Sequence, residues 1–419
     1  NDIISTADEL DKPIIASNDV YYAWRYEKMV RDIYINAKRI GGGHHPLYIS
    51  NKERRKAYKS PDQHLMTTAD MLDAFSYTGR AKEFVIDNPA MIADQIEKIY
   101  PIPTKLATPE IPGCEDILKN VVYKNAYDKY GDPLPKLVED RISRELTNII
   151  NNGFSVQYYI AYLLVKKATE DDYPVGSRGS VGSSFIATMA DITEVNPLVP
   201  HYRCPNCRHS EFFTNGEYQD GFDLPEKHCP ECDAVMIRDG HNIPFETFLG
   251  FNGDKVPDID LNFSPEYQGK AQQQIVKIFG ADYTFRAGTI GTVAEKTAYG
   301  YVKGYCEDND LPYFPPAYMT ALSIMCSDVK RTTGQHPGGI VVIPKDREIH
   351  DFSPIQYPAN NPFSEWLTTH YAFADLHDNI LKLDILGHVD PEAIRLLSEF
   401  SGVDYRNVPM TDSKTLSLF

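Results

Sequence analysis

The sequence predicts an α+β protein of several domains, and three observations support this fold class. Residues 135–151 carry apolar side chains at helical spacing, and residues 256–263 alternate apolar and polar side chains as a strand does. Two Cys-x-x-C pairs lie in an insertion at 201–240. Because the chain has 419 residues, and about 150 residues per domain is usual, we expect about two to four domains.

The first hundred residues are predicted to contain one strand and several helices. Residues 10–22 have the pattern of a short buried strand that ends in a polar turn, and residues 21–40 have helical spacing. A helix start at Thr67–Thr68 and a helix over 89–99 follow. Four prolines then punctuate a linker, which predicts a domain boundary: Pro101, Pro103, Pro109 and Pro112.

Beyond this linker the patterns predict helices interrupted by strands. The helix at 135–151 is expected to bury Leu137, Ile142, Leu146 and Ile149. Residues 286–292 resemble the entry to a capped helix, with Thr292 as the cap. The other predicted elements are a strand or helix at 155–165, a strand at 256–263, mostly helix at 266–330, strands at 338–344 and 380–386, and a helix from 391 to 400.

Composition and charge narrow the class of protein. The formal net charge of −17 is unusual for a nucleic-acid enzyme, although phosphate contacts need only a local basic surface. The sequence contains no run of about 18 apolar residues, so no membrane span is predicted. The N-terminus has no signal-peptide pattern. Four of the seven cysteines are paired, which favours metal binding in a reducing compartment over disulfides. The sequence does not begin with Met, so we interpret it as an excised piece.

Three aspartates have the pattern of a metal site. Asp258 and Asp260 lie two residues apart on a predicted strand, so their side chains share one face and repel unless a cation joins them. Asp384 lies in an apolar predicted strand, and Lys382 lies on the same face of that strand. A carboxylate in such a strand is unfavourable unless it is paired. Such a trio suits two-metal phosphoryl transfer with Mg²⁺. The alternative is an edge strand with solvent-facing acids.

A glycine-serine loop precedes a predicted helix at 185–195. Glycines let successive backbone N–H groups approach a phosphate, the helix N-terminus adds positive charge, and Arg178 can bind phosphate oxygens bidentately. A flexible linker is the alternative. The order of this loop, Asp-x-Asp and a third strand aspartate resembles that in polymerase-beta-type nucleotidyltransferases. The loop residues expected to bind a nucleotide are Ser177, Arg178, Gly179, Ser180, Gly182 and Ser183.

The four paired cysteines have the spacing of a zinc ribbon. Cys204, Cys207, Cys229 and Cys232 form two Cys-Pro-x-Cys knuckles, and four thiolates indicate one structural Zn²⁺. Whether the ribbon only closes the insertion or also contacts DNA stays open, with the structural role favoured.

A basic, glycine-rich stretch precedes the predicted strand at 338–344. Its cations and glycines suit a primer backbone phosphate, whereas an ordinary turn with solvated charges is an equal alternative. The residues expected to bind DNA are Lys330, Arg331, Gln335 and His336.

Taken together and in this order, five motifs closely resemble the PolC-type DNA polymerase III alpha subunits, the C-family replicative polymerases of low-GC Gram-positive bacteria. The motifs are PVGSRGSVGSS (174–184), CPNC with CPEC (204–232), VPDIDLNF (256–263), KRTTGQHPGG (330–339) and LKLDILGH (381–388). This resemblance implies that Asp258, Asp260 and Asp384 are the catalytic aspartates. It also implies that Ser177–Ser183 bind the triphosphate and that the four cysteines bind zinc.

The same resemblance implies a domain order. It assigns the C-terminal part of a PHP domain to 1–104, a palm to 105–290 with the ribbon at about 201–240, a helical thumb to 291–331, the rest of the palm to 332–394 and the start of the fingers to 395–419. In the motif Asp19-Val20-Tyr21, Tyr21 stands where the PHP metal motif has histidine. A working PHP metal site is therefore not expected.

The implied function is template-directed DNA synthesis. Two Mg²⁺ ions would serve nucleotidyl transfer from dNTP to a primer 3′-hydroxyl, with Asp384 ligating the ion that activates the 3′-oxygen. The expected partners are primer-template DNA and dNTP, with a sliding clamp and other replisome proteins bound through segments outside this chain. The expected location is the bacterial cytoplasm, and the piece alone is expected to be inactive. Two rivals are a PHP-type phosphoesterase and a non-catalytic zinc-ribbon module that binds DNA.

Overall fold

The protein divides into two compact units. The structure is a computed structural model that describes residues 2–37, 43–250, 255–357, 361–364, 366–410 and 412–418. One unit comprises Asn1–Tyr100 and Ile290–Thr332, and the other comprises Pro101–Thr289 and Thr333–Phe419. No helix in these described ranges has the length and apolar character needed to cross a bilayer. The end of the helix predicted at 21–40 and the start of the loop at 41–46 lie outside the described residues.

Helices and strands alternate irregularly along the chain. The helices are α1 (Asp2–Glu9), α2 (Lys28–Asn36), α3 (Lys52–Ala57), α4 (Thr68–Ala74), α5 (Asn88–Ala93), α6 (Cys114–Tyr130), α7 (Lys136–Asn151), α8 (Ser155–Glu170), α9 (Phe185–Met189), α10 (Glu246–Leu249), α11 (Pro265–Phe279), α12 (Glu295–Asp308), α13 (Pro316–Met325), α14 (Phe373–Leu376), α15 (Val389–Ser401) and α16 (Ser413–Leu416). The strands are β1 (Gly176–Arg178), β2 (His201–Arg203), β3 (Ser210–Phe212), β4 (Ile237–Asp239), β5 (Asp260–Phe263), β6 (Thr284–Thr292), β7 (Lys330–Val342), β8 (Ile355–Gln356), β9 (Thr368–Ala372) and β10 (Leu381–Gly387).

The larger of the two described sheets is mixed and has seven strands in the order β1-β5-β10-β7-β6-β9-β8. Strand β5 is antiparallel to β1 and parallel to β10, and β10 is antiparallel to β7. Further along, β6 is parallel to β9, and β9 is antiparallel to β8. A mixed sheet with separate helices confirms the predicted α+β class.

Helices α6, α7 and α8 supply much of the core of the larger unit. On α7, the residues Ile142, Leu146 and Ile149 recur at helical spacing and are buried, as predicted, and Leu137 is half-buried. The segment at 155–165, for which strand and helix were both open, is helical. The buried side chains of these helices join those of β5 and β10 in one cluster. The helices therefore support the strands that carry the aspartates.

The smaller unit has its own core. Ile33 on α2 is fully buried with Val302 on α12 and Leu322 on α13. Thr67 caps α4 by accepting a hydrogen bond from the Asp70 N–H, which confirms the predicted helix start there.

Two predicted elements are wrong, and two other segments differ in type or length from their expectation. Residues 10–22 form no strand, and Tyr22 makes only an isolated bridge with His64. Residues 286–292 belong to strand β6 and do not enter a helix, because alternate side chains such as Phe285 and Ala287 pack into the core. The stretch at 330–339, for which an ordinary turn was one alternative, is the first part of strand β7. The helix predicted at 89–99 is shorter, since α5 ends at Ala93.

The cysteine insertion forms a separate three-stranded sheet in the order β3-β2-β4. Its buried core is small, and two cysteines belong to it: Tyr202, Cys204, Leu224, Cys229 and Met236. So few apolar side chains give little hydrophobic stabilisation, which fits a fold that depends on a metal.

Candidate active site and cysteine centre

Two of the three aspartates, Asp260 and Asp384, belong to a row of register partners on four adjacent strands. Asp260 at the start of β5 is the register partner of Arg178 on β1 and of Asp384 on β10, and Asp384 is the partner of Gly339 on β7. Neighbouring strands lie about 4.8 Å apart, so the side chains of such partners are neighbours. The exposed Asp258 lies two residues before β5, and one carboxylate oxygen from each of the three aspartates lies within 4.8 Å of the other two.

Asp384 is held from one side by a half-buried cation, Lys382. Its side chain is 7% exposed, and its Oδ2 lies 2.5 Å from Lys382 Nζ. The same ammonium lies 3.5 Å from the centre of the Phe373 ring, which adds a cation–π contact. Lys382, which the sequence places on the same side of the strand as Asp384, is thus its ion-pair partner.

The other Asp384 oxygen, Oδ1, faces His336 without a hydrogen bond. His336 Nδ1 lies 3.7 Å from this oxygen, but it accepts backbone N–H groups from Gly338 and Gly339 at 3.3 and 2.7 Å. A nitrogen that accepts these bonds carries no proton, and burial lowers the pKa of His336. The contact is therefore not an ion pair. A buried carboxylate oxygen without a partner fits a cation ligand.

Burial and the neighbouring acids perturb the pKa of Asp260. Burial, followed by the charges of Asp258 and Asp384, raises the pKa of Asp260 to about 6. Arg178 and Lys382 oppose this shift, and Arg178 Nη2 lies 3.8 Å from Asp260 Oδ2. Three acids that share a site with too little positive charge are an arrangement that divalent cations stabilise.

We expect the affinity of the aspartate cluster for Mn²⁺ to fall as the pH drops through about 6, the pKa of Asp260 in the metal-free protein. Below that pH the carboxyl binds a proton, and the metal must displace it, so the affinity at pH 5 should be about tenfold lower than at pH 7.5. Titration of Mn²⁺ followed by electron paramagnetic resonance measures this. Equal affinities at the two pH values would contradict the assigned ligand.

The glycine-serine segment divides into an exposed and a buried part. Arg178 and Gly179 are exposed and Ser180 is half-buried, whereas Gly182 and Ser183 are buried. A side chain at Gly182 would lie 3.2 Å from Val195, so this glycine serves packing. Ser183 donates its hydroxyl to the Ser180 carbonyl, and Ser177 shares a hydrogen bond with Thr193 at 2.7 Å. The surface offered to a ligand is Arg178–Ser180.

The N-terminus of α9 does not offer its amides to a ligand, contrary to the expectation from sequence. The N–H groups of Phe185 and Ile186 both donate to the buried carboxylate of Glu145, each at 3.1 Å. These amides are therefore already occupied. One signal for Glu145 is visible in the sequence, since this acid interrupts the apolar face formed by Ile142, Leu146 and Ile149.

The residues predicted to bind DNA do not share one environment. Lys330 and Arg331 are exposed at the start of β7. Gln335 donates to the Thr368 hydroxyl at 2.9 Å, and His336 accepts the backbone bonds described above. Contact with DNA stays a prediction for all four residues. Within this set, only Lys330 and Arg331 have exposed cationic side chains.

The four paired cysteines converge. Their sulfur atoms lie within 4.8 Å of one another, with Cys204 and Cys232 at 3.4 Å and Cys207 and Cys229 at 3.5 Å. A disulfide needs about 2.05 Å, and thiolates around a tetrahedral Zn²⁺ with bonds of about 2.3 Å lie about 3.8 Å apart. The Cys207 N–H donates to Cys204 Sγ. This donor set fits a closed structural metal site.

Sequence comparison places these features in a known family. The family model described as the bacterial DNA polymerase III alpha NTPase domain matches residues 116–309 and 316–387. The matched ranges contain the three aspartates, the glycine-serine segment and the four cysteines.

Curated relatives match over the whole of this chain. Proteins named PolC-type DNA polymerase III from Halalkalibacterium halodurans, Bacillus subtilis and Listeria monocytogenes are 52%, 51% and 50% identical to it over 419 residues. The chain spans 28% of the length of each of these relatives.

Proposed function

Since the chain belongs to the bacterial DNA polymerase III alpha family, we propose that it is the palm-centred catalytic region of a replicative DNA polymerase. The reaction is template-directed transfer of a nucleotide from dNTP to a primer 3′-hydroxyl. The 3′-oxygen bonds to the α-phosphorus, the bond to the β-phosphate oxygen breaks, and pyrophosphate leaves.

The observation that carries this proposal is the row Arg178, Asp260, Asp384 on three adjacent strands, with Asp258 beside it. One edge of the row continues into the exposed part of the glycine-serine segment. Metal ligands and a surface for a polyphosphate are thus neighbours, which nucleotidyl transfer requires.

Asp258, Asp260 and Asp384 would hold two Mg²⁺ ions. When bound, these ions supply the positive charge that stabilises the attacking and leaving oxygens. The unpartnered Asp384 oxygen and the raised pKa of Asp260 both support a cation at this position. Lys382 fixes the orientation of Asp384 through its ion pair.

Arg178, Gly179 and Ser180 would bind the triphosphate. The Arg178 guanidinium lies near Asp260 and the side chain is 56% exposed, so it can turn towards a ligand. Ser177, Gly182 and Ser183 support the shape of the segment from within.

The remaining assignments follow from the resemblance of the motifs. We propose the end of a PHP domain at 1–104, the palm at 105–290 and 332–394, the thumb at 291–331 and the start of the fingers at 395–419. The four cysteines would hold one structural Zn²⁺, and Lys330 and Arg331 would contact the DNA backbone. The complete polymerase would act in the bacterial cytoplasm with a sliding clamp and other replisome proteins.

Replacement of Arg178 by alanine should raise the KM for dNTP about tenfold or more, because a bidentate phosphate contact is lost. Primer extension by the full-length protein with Mg²⁺ measures this. The matched control is R347A, since Arg347 is similarly exposed and its nearest acid, Asp346, lies 4.0 Å away. An R178A enzyme with an unchanged KM would refute the triphosphate assignment, and absence of Mg²⁺-dependent extension by the wild-type protein would refute the proposed function.

A further inference from the structure

Glu145 is a fully buried acid outside the aspartate cluster. Its side chain lies on the apolar face of α7 and has 0% exposure. Removing a carboxylate from water is strongly unfavourable unless ion pairs and hydrogen bonds compensate. The contacts of this side chain therefore show what it holds in place.

Four donors surround the Glu145 carboxylate. Arg141 Nε, one turn earlier on α7, pairs with Oε1, which also accepts the Phe185 N–H at 3.1 Å. Oε2 accepts the Ile186 N–H at 3.1 Å and the Ser184 hydroxyl at 3.0 Å. Every contact outside α7 goes to the junction between the glycine-serine segment and α9.

The partners of Glu145 make further hydrogen bonds. Arg141 Nη2 donates to the carbonyl oxygens of Ser183 and Ile243 at 2.9 and 3.2 Å. The hydroxyl of Ser184 accepts from Tyr158 at 3.0 Å while it donates to Glu145. The pair on α7 thus fixes one carbonyl, one hydroxyl and two amides in the consecutive residues Ser183–Ile186, which begin three residues after Ser180.

Capping alone does not explain this arrangement. Ser184 already caps α9, because its hydroxyl accepts the Ala187 N–H. A buried ion pair also adds little net stability compared with packed apolar side chains, and its best-attested benefit is a defined geometry. The position of the segment is therefore the property that the carboxylate determines.

We propose that Glu145 is a positioning residue whose buried carboxylate sets the conformation of the glycine-serine segment and thereby the affinity of the site for the triphosphate of the incoming dNTP. This inference rests on the proposed function. Glu145 does not touch the nucleotide, and it acts through Ser183–Ile186 on the exposed residues before them.

The test is steady-state primer extension by the full-length protein carrying E145Q. Glutamine keeps the size of the side chain, but its amide nitrogen cannot accept an N–H bond, so the segment must shift. We expect the KM for dNTP to rise about tenfold and kcat to change less than about threefold, with unchanged affinity for primer-template DNA. The control is E139Q on the same helix, because Glu139 bonds to Tyr123 and not to the segment.

A second variant keeps the test valid if E145Q does not fold. S184A removes one of the four donors without leaving a buried charge unpaired, and we expect a smaller rise in KM, about threefold. An unchanged KM in the folded variant, even with a lowered melting temperature, would overturn the inference. D260N separates this from the proposed function, since D260N must abolish extension whatever Glu145 does.

Discussion

Replacement of Asp260 by asparagine should reduce primer extension by the full-length protein at least about 1,000-fold, equivalent to about 4 kcal/mol of transition-state stabilisation. Asparagine is similar in size but carries no charge, so the cluster loses a metal ligand between Arg178 and Asp384. Single-turnover extension with saturating Mg²⁺ measures this loss.

The fold should survive D260N. In the metal-free protein the pKa of Asp260 is raised to about 6, so the native state keeps its proton to a higher pH than the unfolded chain. The crowded charge therefore destabilises the native state as pH rises through about 6, and removal of the charge should raise the melting temperature in EDTA at pH 8. D378N is the matched control, because Asp378 is 91% exposed and pairs only with its neighbour His377 among the described residues. Extension at wild-type rate by D260N would refute the catalytic assignment.

Loss of the metal from the four cysteines should unfold the small sheet formed by β2, β3 and β4. Its core has few apolar residues besides Cys204 and Cys229, whereas structural Zn²⁺ contributes about 10 kcal/mol or more in small zinc domains. In C207S, or after chelation, we expect the backbone amides of β2 and β4 to exchange hydrogen at least about 1,000-fold faster. Hydrogen exchange followed by mass spectrometry measures this.

The control for C207S is C114S. Cys114 is buried on α6 and lies outside the four-cysteine cluster. Elemental analysis should find one zinc per chain in the wild type and in C114S, and much less in C207S. Equal zinc content in the two variants, or protected β2 amides without metal, would show that the cysteines do not form a structural metal site.

The aspartate cluster could be predicted because its signals are local. Asp260 and Asp384 each lie in a short apolar strand, where a carboxylate needs a partner, and the structure makes them register partners on parallel strands. The pairing of β5 with β10 is not local, and the motif order indicated it only through the family resemblance. The cysteine knuckles were predictable for the same reason, since each pair determines a turn by itself.

The failed predictions concern glycines that serve close contact between strands. Gly288 lies in the segment predicted as a helix entry and Gly338 in the stretch for which a turn was one alternative, but the two lie on strands β6 and β7. A side chain at Gly288 would lie 2.2 Å from the Thr369 carbonyl, and one at Gly338 would lie 2.5 Å from the Ile385 carbonyl. Only the tertiary structure reveals such contacts. The apolar run at 10–22 failed in the opposite way, because it finds no partner strand among the described residues.

The occupancy of the aspartate cluster tests the central claim most directly. Crystals of the full-length protein with dNTP, a primer that lacks the 3′-hydroxyl and Mn²⁺ would show bound ions by anomalous scattering. The account predicts two manganese peaks that contact the carboxylates of Asp258, Asp260 and Asp384. Manganese bound elsewhere while these three carboxylates contact only protein or water would contradict it.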